Sequence, residues 1–453
     1  MIEEMFTTSK KMFHRNLKGE LKMNSVKIYP NKLGGEINIP PSKSLSHRAI
    51  ICASLSDGVS EIDNLIFSDD IKATMDGMRA LGVSIEDVEQ SSGETHPITL
   101  KGNSNIQANN REIDCKESGS TLRFLIPFAG LVEDEITFIG RGKLVERPLG
   151  TYYRIFDEQN IEYRNNDDKL PLSVKGMLKP GTFKVEGNIS SQFITGLMFV
   201  LPLLDGDSKI EITTELESKG YVDLTLDTLE KFDIKIENND YKDFYIKGNQ
   251  KYQSRNYRVE GDFSQAAFWI TAGLLGGNIR CRDLNIDSLQ GDKAVLEIVK
   301  RMEGKLRTGE DLIEVNESET RGTIIDASQC PDLVPILTVL GSVSNGTTKI
   351  INGERLRIKE SDRIKAISTE LNKLGANIKE LEDGLLIEGK KELKGGTVDS
   401  WNDHRIAMAL AVASIKCTEP VIITGSDAVK KSYPGFWKDF VKLGGKINEQ
   451  HMG

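Results

Sequence analysis

The feature that most constrains this chain is a unit that it repeats six times. Each time, an amphipathic helical stretch runs into a residue able to adopt the left-handed conformation, and then into a short apolar-polar alternation that reads as a strand. The stops are Gly82, Asn160, Asp233, Gly304, Gly375 and Gly444. Gly, Asn and Asp enter the left-handed region at a helix C-terminus with least penalty, so the pattern has a physical cause. In the first unit Ser68 is the expected N-cap, Asp69 and Asp70 sit at the positive helix end, and Ile71, Met75, Met78 and Leu81 form the buried stripe. The fifth unit repeats this with Ser361 and Asp362 ahead of Ile364, Ile367, Leu371 and Leu374, and in the third the stripe is Val222, Leu226, Leu229 and Phe232.

The stops lie about 70 to 80 residues apart, longer than the 20 to 50 typical of solenoids, so each unit is a small α/β module of its own. A chain of 453 residues exceeds one ordinary core. Two domains of three modules is the natural packing, with the chain changing domain near Tyr257 to Asp262. Apolar residues at 38%, charged residues at 28% and only 13 prolines are the composition of a folded protein rather than a disordered or fibrous one.

No apolar run approaches the roughly 18 to 20 residues that span a bilayer, and no apolar h-region with a cleavage site opens the chain, so a cytoplasmic protein is expected. Residues 1–23 read as an extension outside the fold. The five cysteines are scattered, with no C-x-x-C pair and no metal-ligand spacing, which predicts reduced, buried thiols. A net charge of −9 argues against a general nucleic-acid face and makes local basic clusters more informative.

Those clusters set cations beside small and hydroxyl residues, the mix that phosphate and carboxylate binding needs. Pro40-Pro41-Ser42-Lys43-Ser44-Leu45-Ser46-His47-Arg48 precedes an apolar helix and reads as an anion site at a helix N-terminus, without P-loop spacing. Glu117-Ser118-Gly119-Ser120-Thr121-Leu122-Arg123, Glu146-Arg147-Pro148 and Asn188-Ile189-Ser190-Ser191-Gln192-Phe193 are weaker signals singly; capping explains one serine, and Glu146-Arg147 is more often a surface ion pair. Asp332 follows Pro331 before another apolar helix. The densest constellation is Arg355-Leu356-Arg357-Ile358-Lys359-Glu360-Ser361-Asp362-Arg363, joined by Asn402-Asp403-His404-Arg405 and Lys430-Lys431-Ser432-Tyr433-Pro434. A solvated face explains Asn402 to Arg405 poorly, because the tetrad leads straight into an apolar, buried helix.

Taken in order, Pro-Ser-Lys-Ser-x-Ser-x-Arg (41–48), Ser-Gly-Ser-Thr-x-Arg (118–123), Glu-Arg-Pro (146–148), Ser-Ser-Gln-Phe (190–193), Ser-Lys-x-Tyr (218–221), Lys-Glu-Ser-Asp-Arg (359–363), Asn-Asp-His-Arg (402–405) and Lys-Ser-Tyr-Pro (431–434) resemble the 5-enolpyruvylshikimate-3-phosphate synthases, enolpyruvyl transferases of the shikimate pathway. The resemblance covers residues 24 to about 448. It implies a two-domain inside-out α/β barrel of βαβαββ-type modules, with residues 24–43 plus 260–453 in one domain, 44–259 in the other, and the site in the cleft between them. It further implies transfer of the enolpyruvyl group of phosphoenolpyruvate to the 5-hydroxyl of shikimate 3-phosphate, with no cofactor and no metal, by a monomer that binds neither nucleic acid nor membrane.

Carried over position by position, Lys43, Arg147, Arg363, Arg405 and Lys431 resemble the phosphoenolpyruvate clamp, with the Gly119 backbone beside it. Ser190, Ser191 and Ser218 resemble the shikimate phosphate site, Ser44 and Arg48 the carboxylate site, Tyr221 the stacking residue, and Gln192 a group between both ligands. Asp332 and Lys359 resemble the groups at the ring hydroxyls, Asp332 being the candidate base, and Glu360 the proton-transfer carboxylate. The chemistry asks for such a set, a base at the hydroxyl and an acid at C3 of phosphoenolpyruvate, provided that Glu360 is protonated part of the time. Glu117 and His47 stand where many members have Asn, and Glu117 is expected to pair with Arg123. The resemblance also implies competition by glyphosate at the phosphoenolpyruvate site, where Gly119 leaves room and Ser120 and Phe124 differ from common members. The rivals are the sister transferase acting on UDP-N-acetylglucosamine, whose reactive loop cysteine Cys115 could mimic, and a non-catalytic anion-binding protein on the same scaffold.

Overall fold

The computed structural model describes residues 24–86 and 94–451. The extension expected over residues 1–23 lies outside the described residues. The six modules are present as six four-stranded sheets of one design: an outer strand runs parallel to the second, and the third and fourth follow antiparallel. In the third module, for example, the spatial order is Thr182–Val185, Ser208–Ile212, Asp243–Ile246 and Ile236–Asn239. Three sheets are completed from elsewhere in the chain. Asn24–Tyr29 lies between Val421–Thr424 and Lys446–His451, Gly35–Asn38 pairs parallel with Asn278–Arg282, and Tyr257–Arg258 pairs parallel with Gly58–Leu65.

Each module carries two helices of different character. The second is amphipathic: Ala294–Arg301 buries Val295, Leu296, Ile298 and Val299 and exposes Glu297, Lys300 and Arg301. The first is largely buried. Every residue of Phe263–Gly276, Val334–Ser342 and His404–Ala413 is buried, and these three pack on one another at the centre of their half. Strands therefore lie outside and helices inside.

The buried apolar side chains fall into two clusters. One joins Val26 to Ile39 with Phe263 to Leu443; the other runs from Leu45 to Val259. The chain passes between them twice, side by side: Pro41 bridges Gly261, and the Ser42 amide donates to the Glu260 carbonyl at 2.8 Å. Asp262 accepts from the Lys43 amide at 3.0 Å.

All six second helices end in the same hydrogen-bond pair. In the first, the amide of Gly82 donates to the carbonyl of Arg79, and that of Val83 to Met78; the pairs at Asn160, Asp233, Gly375 and Gly444 match it. Five stops are therefore the residues anticipated, all with positive φ. The fourth differs: the left-handed residue is Glu303 (φ 64), and Gly304 comes one position later. Gly304 serves close packing instead, since a Cβ there would lie 2.6 Å from Val299 Cγ1. The fifth unit also shifts by one. Asp362, not Ser361, caps Arg363–Lys373, while Ser361 donates its hydroxyl to the buried Asp403 at 3.0 Å.

These two positions of the fourth stop predict opposite effects. Glu303→Gly removes a left-handed penalty and raises unfolding stability by about 0.5–1 kcal/mol. Gly304→Ala forces its methyl against Val299 and lowers it by about 1–3 kcal/mol. Urea titration of the two variants checks both signs.

Candidate active site

The largely buried first helices share one polar feature that must be satisfied: the unpaired amides of their first turn. All six present that end to one cleft between the two halves. Lys43 and Ser44, Gly119 and Ser120, Ser191 and Gln192, Ser264 and Gln265, Asp332 just ahead of Val334, and His404 and Arg405 line it. Ser42, Ser118, Ser190, Asp262 and Asp403 cap five of these helices through their side chains, and the remaining amides and the helix dipoles favour an anion.

The charges agree. Eight cations and four carboxylates line the cleft, an excess of four positive charges in a protein of net charge −9. Such focusing draws a multiply charged anion.

At the centre is Arg363, 1% exposed, at the start of its helix. One Nη donates to Asp332 at 2.7 Å, the other to Glu360 at 2.6 Å, and Nε donates to the fully buried Asp403 at 2.8 Å. A single planar guanidinium thus holds the two candidate carboxylates in fixed relation. Asp332 also accepts from Arg405 at 3.0 Å and from the Tyr221 hydroxyl at 2.9 Å, with Lys359 at 3.9 Å. Glu360 meets Arg147 of the other half at 3.3 Å. Burial pushes the pKa values of both carboxyls up, but the surrounding cations outweigh it and hold both well below the usual range. Against these protein charges alone, the partial protonation set as a condition for Glu360 is disfavoured.

Across the cleft Arg48 is buried without a carboxylate partner among the described residues. Its guanidinium donates to Thr225 Oγ1 and the Tyr221 carbonyl, both at 2.9 Å, and to the Ser44 carbonyl at 2.7 Å. Burial lowers its pKa to about 10. Gln192 accepts from Arg123 at 2.8 Å and donates to Ser120 at 3.0 Å. A Cβ on Gly119 would overlap the Arg147 guanidinium, so glycine leaves that cation room. Lys43 pairs with Asp70 at 2.7 Å.

Of the sequence-predicted site residues, Lys43, Ser44, Arg48, Gly119, Arg147, Ser190, Ser191, Gln192, Ser218, Tyr221, Asp332, Lys359, Glu360, Arg363 and Arg405 all line this cleft, and Lys431 does not. Glu117 does not pair with Arg123 either. Its carboxylate holds Lys431 Nζ at 2.7 Å, while Arg123 turns to Gln192 and the Pro148 carbonyl. Glu146 and Arg147 do not form the surface pair weighed against a clamp role: Glu146 meets Lys143, and Arg147 points inward to Glu360. His47 belongs to a buried hydroxyl chain, Nδ1 to Thr74 at 2.7 Å and Thr74 to Thr121 at 2.7 Å.

Sequence reasoning missed Arg355, Asp262 and His404 as lining groups. Arg355 donates to Ser218 Oγ at 2.9 Å, placing a cation at the serine expected to meet a phosphate. The dense basic run signalled it, yet nothing in the run distinguished Arg355 from Arg357, which faces outward to Glu380 and Asp362. All five cysteines are free and buried. Burial raises the Cys115 thiol far above its ordinary pKa, the opposite of a reactive loop cysteine.

Residues 28–440 match the family model described as EPSP synthase (3-phosphoshikimate 1-carboxyvinyltransferase). A protein named 3-phosphoshikimate 1-carboxyvinyltransferase from Clostridium novyi (strain NT) is 65% identical over 434 residues, covering 95% of this chain and all of that one. One of the same name from Clostridioides difficile (strain 630) is 54% identical over 437 residues, with the same coverage. A solved EPSP synthase from Acinetobacter baumannii superposes with a TM-score of 0.79 at 22% identity, over 94% of this chain and all of that one, which establishes the likeness of fold.

A buried acid beside the cleft yields a pH prediction. Asp292, 3% exposed, accepts from the Ser264 hydroxyl, while its Oδ1 has no hydrogen-bond partner among the described residues. Burial, and then the charge of Asp332, raises its pKa to about 7. The folded protein keeps a proton there that the unfolded chain has released, so this group lowers stability as pH rises toward 7, and the loss is complete above it. Asp292→Asn abolishes that loss: urea unfolding will show the variant gaining roughly 2–3 kcal/mol more over wild type at pH 8 than at pH 5.

Proposed function

The chain belongs to the EPSP synthase family, and from that membership we propose how its cleft divides the work. The reaction moves the enolpyruvyl (carboxyvinyl) group of phosphoenolpyruvate to the 5-hydroxyl of shikimate 3-phosphate. It yields 5-enolpyruvylshikimate 3-phosphate and phosphate, on the route to chorismate and the aromatic amino acids. The observation that carries the assignment of roles is the Arg363 fork, which holds Asp332 and Glu360 side by side beneath six helix N-termini.

In this reading the two core clusters are two domains, residues 24–43 plus 260–453 and residues 44–259, and the ligands are gripped between them. Lys43, Arg147, Arg363, Arg405 and Lys431 take phosphoenolpyruvate, with the Gly119 backbone beside it. Ser190, Ser191 and Ser218, with Arg355 behind Ser218, take the phosphate of shikimate 3-phosphate. Ser44 and Arg48 take its carboxylate, Tyr221 packs on its ring, Gln192 lies between the ligands, and Lys359 meets the ring hydroxyls. Arg48 suits its part because it is a buried cation whose present partners are all neutral oxygens, so a carboxylate there gains a full charge partner.

Asp332 removes the proton of the 5-hydroxyl as that oxygen bonds to C2 of phosphoenolpyruvate, while Glu360 delivers a proton to C3. The tetrahedral intermediate then expels phosphate as Glu360 takes a proton back from C3, restoring the double bond. The anionic substrates set the protonation state. When phosphoenolpyruvate neutralises Arg147 and Arg363, the charges that keep Glu360 ionised are offset and its carboxyl is free to hold a proton. The same cations carry the leaving phosphate. No step calls on a metal or cofactor. The protein is a cytoplasmic monomer in this reading, its partners being two small molecules, and glyphosate competes with phosphoenolpyruvate.

Phosphate release will require phosphoenolpyruvate together with shikimate 3-phosphate; turnover with UDP-N-acetylglucosamine alone defeats the reading. Glu360→Gln is expected to lower kcat by about 10²–10⁴-fold while calorimetric binding of shikimate 3-phosphate stays within about twofold. Unchanged turnover removes Glu360 from the mechanism.

A further inference from the structure

Lys431 is the one member of the expected clamp that does not line the cleft, and the structure contains the reason. Its Nζ donates to Glu117 Oε2 at 2.7 Å and to the Asn402 carbonyl at 2.6 Å. Asn402 in turn donates its side-chain amide to Glu117 at 3.2 Å. These contacts join the two halves, since Glu117 stands two residues before Gly119 and the other two residues belong to the sixth module. The backbone around them is shaped for the purpose. Trp401 and Asn402 both have φ of 53, turning the Asn402 carbonyl toward the lysine, and Gly142 (φ 59) leaves the space that Glu117 occupies: a Cβ there would lie 2.9 Å from the Glu117 carboxyl carbon. The lysine side chain is 12% exposed and the glutamate 28%, so the pair is only partly open to solvent.

We propose that Glu117 is an internal competitor of phosphoenolpyruvate, a carboxylate that straps Lys431 from the opposite half and must yield it to the incoming anion. The inference deepens the reading above, because it takes Lys431 as a phosphoenolpyruvate cation. Nothing else is required of Glu117: it touches no reacting atom in the proposed chemistry, so it acts as a positioning residue through the lysine. A substrate anion succeeds only if it offers Lys431 more than a carboxylate already fixed at hydrogen-bond distance does, which raises the concentration needed for phosphoenolpyruvate and leaves the shikimate 3-phosphate subsite untouched. An interdomain pair with ordinary structural duties would have no such asymmetry.

The asymmetry is the test. With shikimate 3-phosphate saturating, Glu117→Gln is expected to lower the KM for phosphoenolpyruvate by about three- to tenfold, the range for a partly buried ion pair, and Glu117→Asn to shift it in the same direction. The KM for shikimate 3-phosphate stays within about twofold of wild type under the same treatment. A phosphoenolpyruvate KM that is unchanged or raised overturns the proposal, as does a parallel shift in both constants. Wild-type protein without turnover would instead defeat the functional reading. Calorimetric titration of wild type and Glu117→Gln with phosphoenolpyruvate then reads the strap directly, tighter binding by the variant supporting it and equal or weaker binding overturning it.

Discussion

Burying a helix that is apolar on every side leaves its end as its only polar feature, and this constraint organises the protein. Phe263–Gly276, Val334–Ser342 and His404–Ala413 hide their whole length inside one half, and Gly119–Leu125 and Ser191–Val200 are nearly as hidden in the other. Their first-turn amides cannot pair within the helix. Four of these helices are capped where they emerge by Ser118, Ser190, Asp262 and Asp403, and the remaining amides suit whatever anion enters the cleft on which they converge. The active site is thus a consequence of how the core is packed rather than a device added to its surface.

A cleft built this way has an excess of positive potential, and the protein manages it with its own carboxylates. Asp332 and Glu360 share Arg363, Asp70 holds Lys43, and Glu117 holds Lys431. In the proposed reading each pairing stands in for a substrate contact. The arrangement keeps long cationic side chains ordered before the ligands arrive, which limits the entropy lost on binding. In the proposed reading it also ties acid-base chemistry to occupancy, because the cations that keep Glu360 ionised are the ones assigned to the substrate.

The two halves meet through few covalent connections. The chain crosses only at residues 41–43 and 259–262, where the two passes are hydrogen-bonded to each other, so the halves share one narrow joint. Beyond that joint the halves meet largely through side chains, including Tyr221 with Asp332, Arg147 with Glu360, Arg355 with Ser218, and Glu117 with Lys431, with the Ser218 amide donating to the Ser328 carbonyl at 3.1 Å. The groups proposed to recognise substrate are therefore among those that join the two halves.

Local chemistry made much of this legible from the residues alone. The six stops were visible because few residue types take the left-handed conformation cheaply, and five fell where anticipated; the fourth moved to Glu303 because Gly304 was needed against Val299, a packing demand no local pattern records. The motif order pointed to the reaction, and fifteen of the sixteen site residues line one cleft. What the linear chain did not disclose is which charge meets which. Glu117 lies six residues from Arg123, yet its partner is Lys431, 314 residues away, and Arg355 faces the cleft while Arg357 faces out. Helix, stop and strand are settled by neighbours along the chain, so the sequence by itself determined the modules and the inventory of anion-binding groups. Ion pairs are settled by distance in space, and only the packing of the two halves decided which cations stand free for substrate and which are already held.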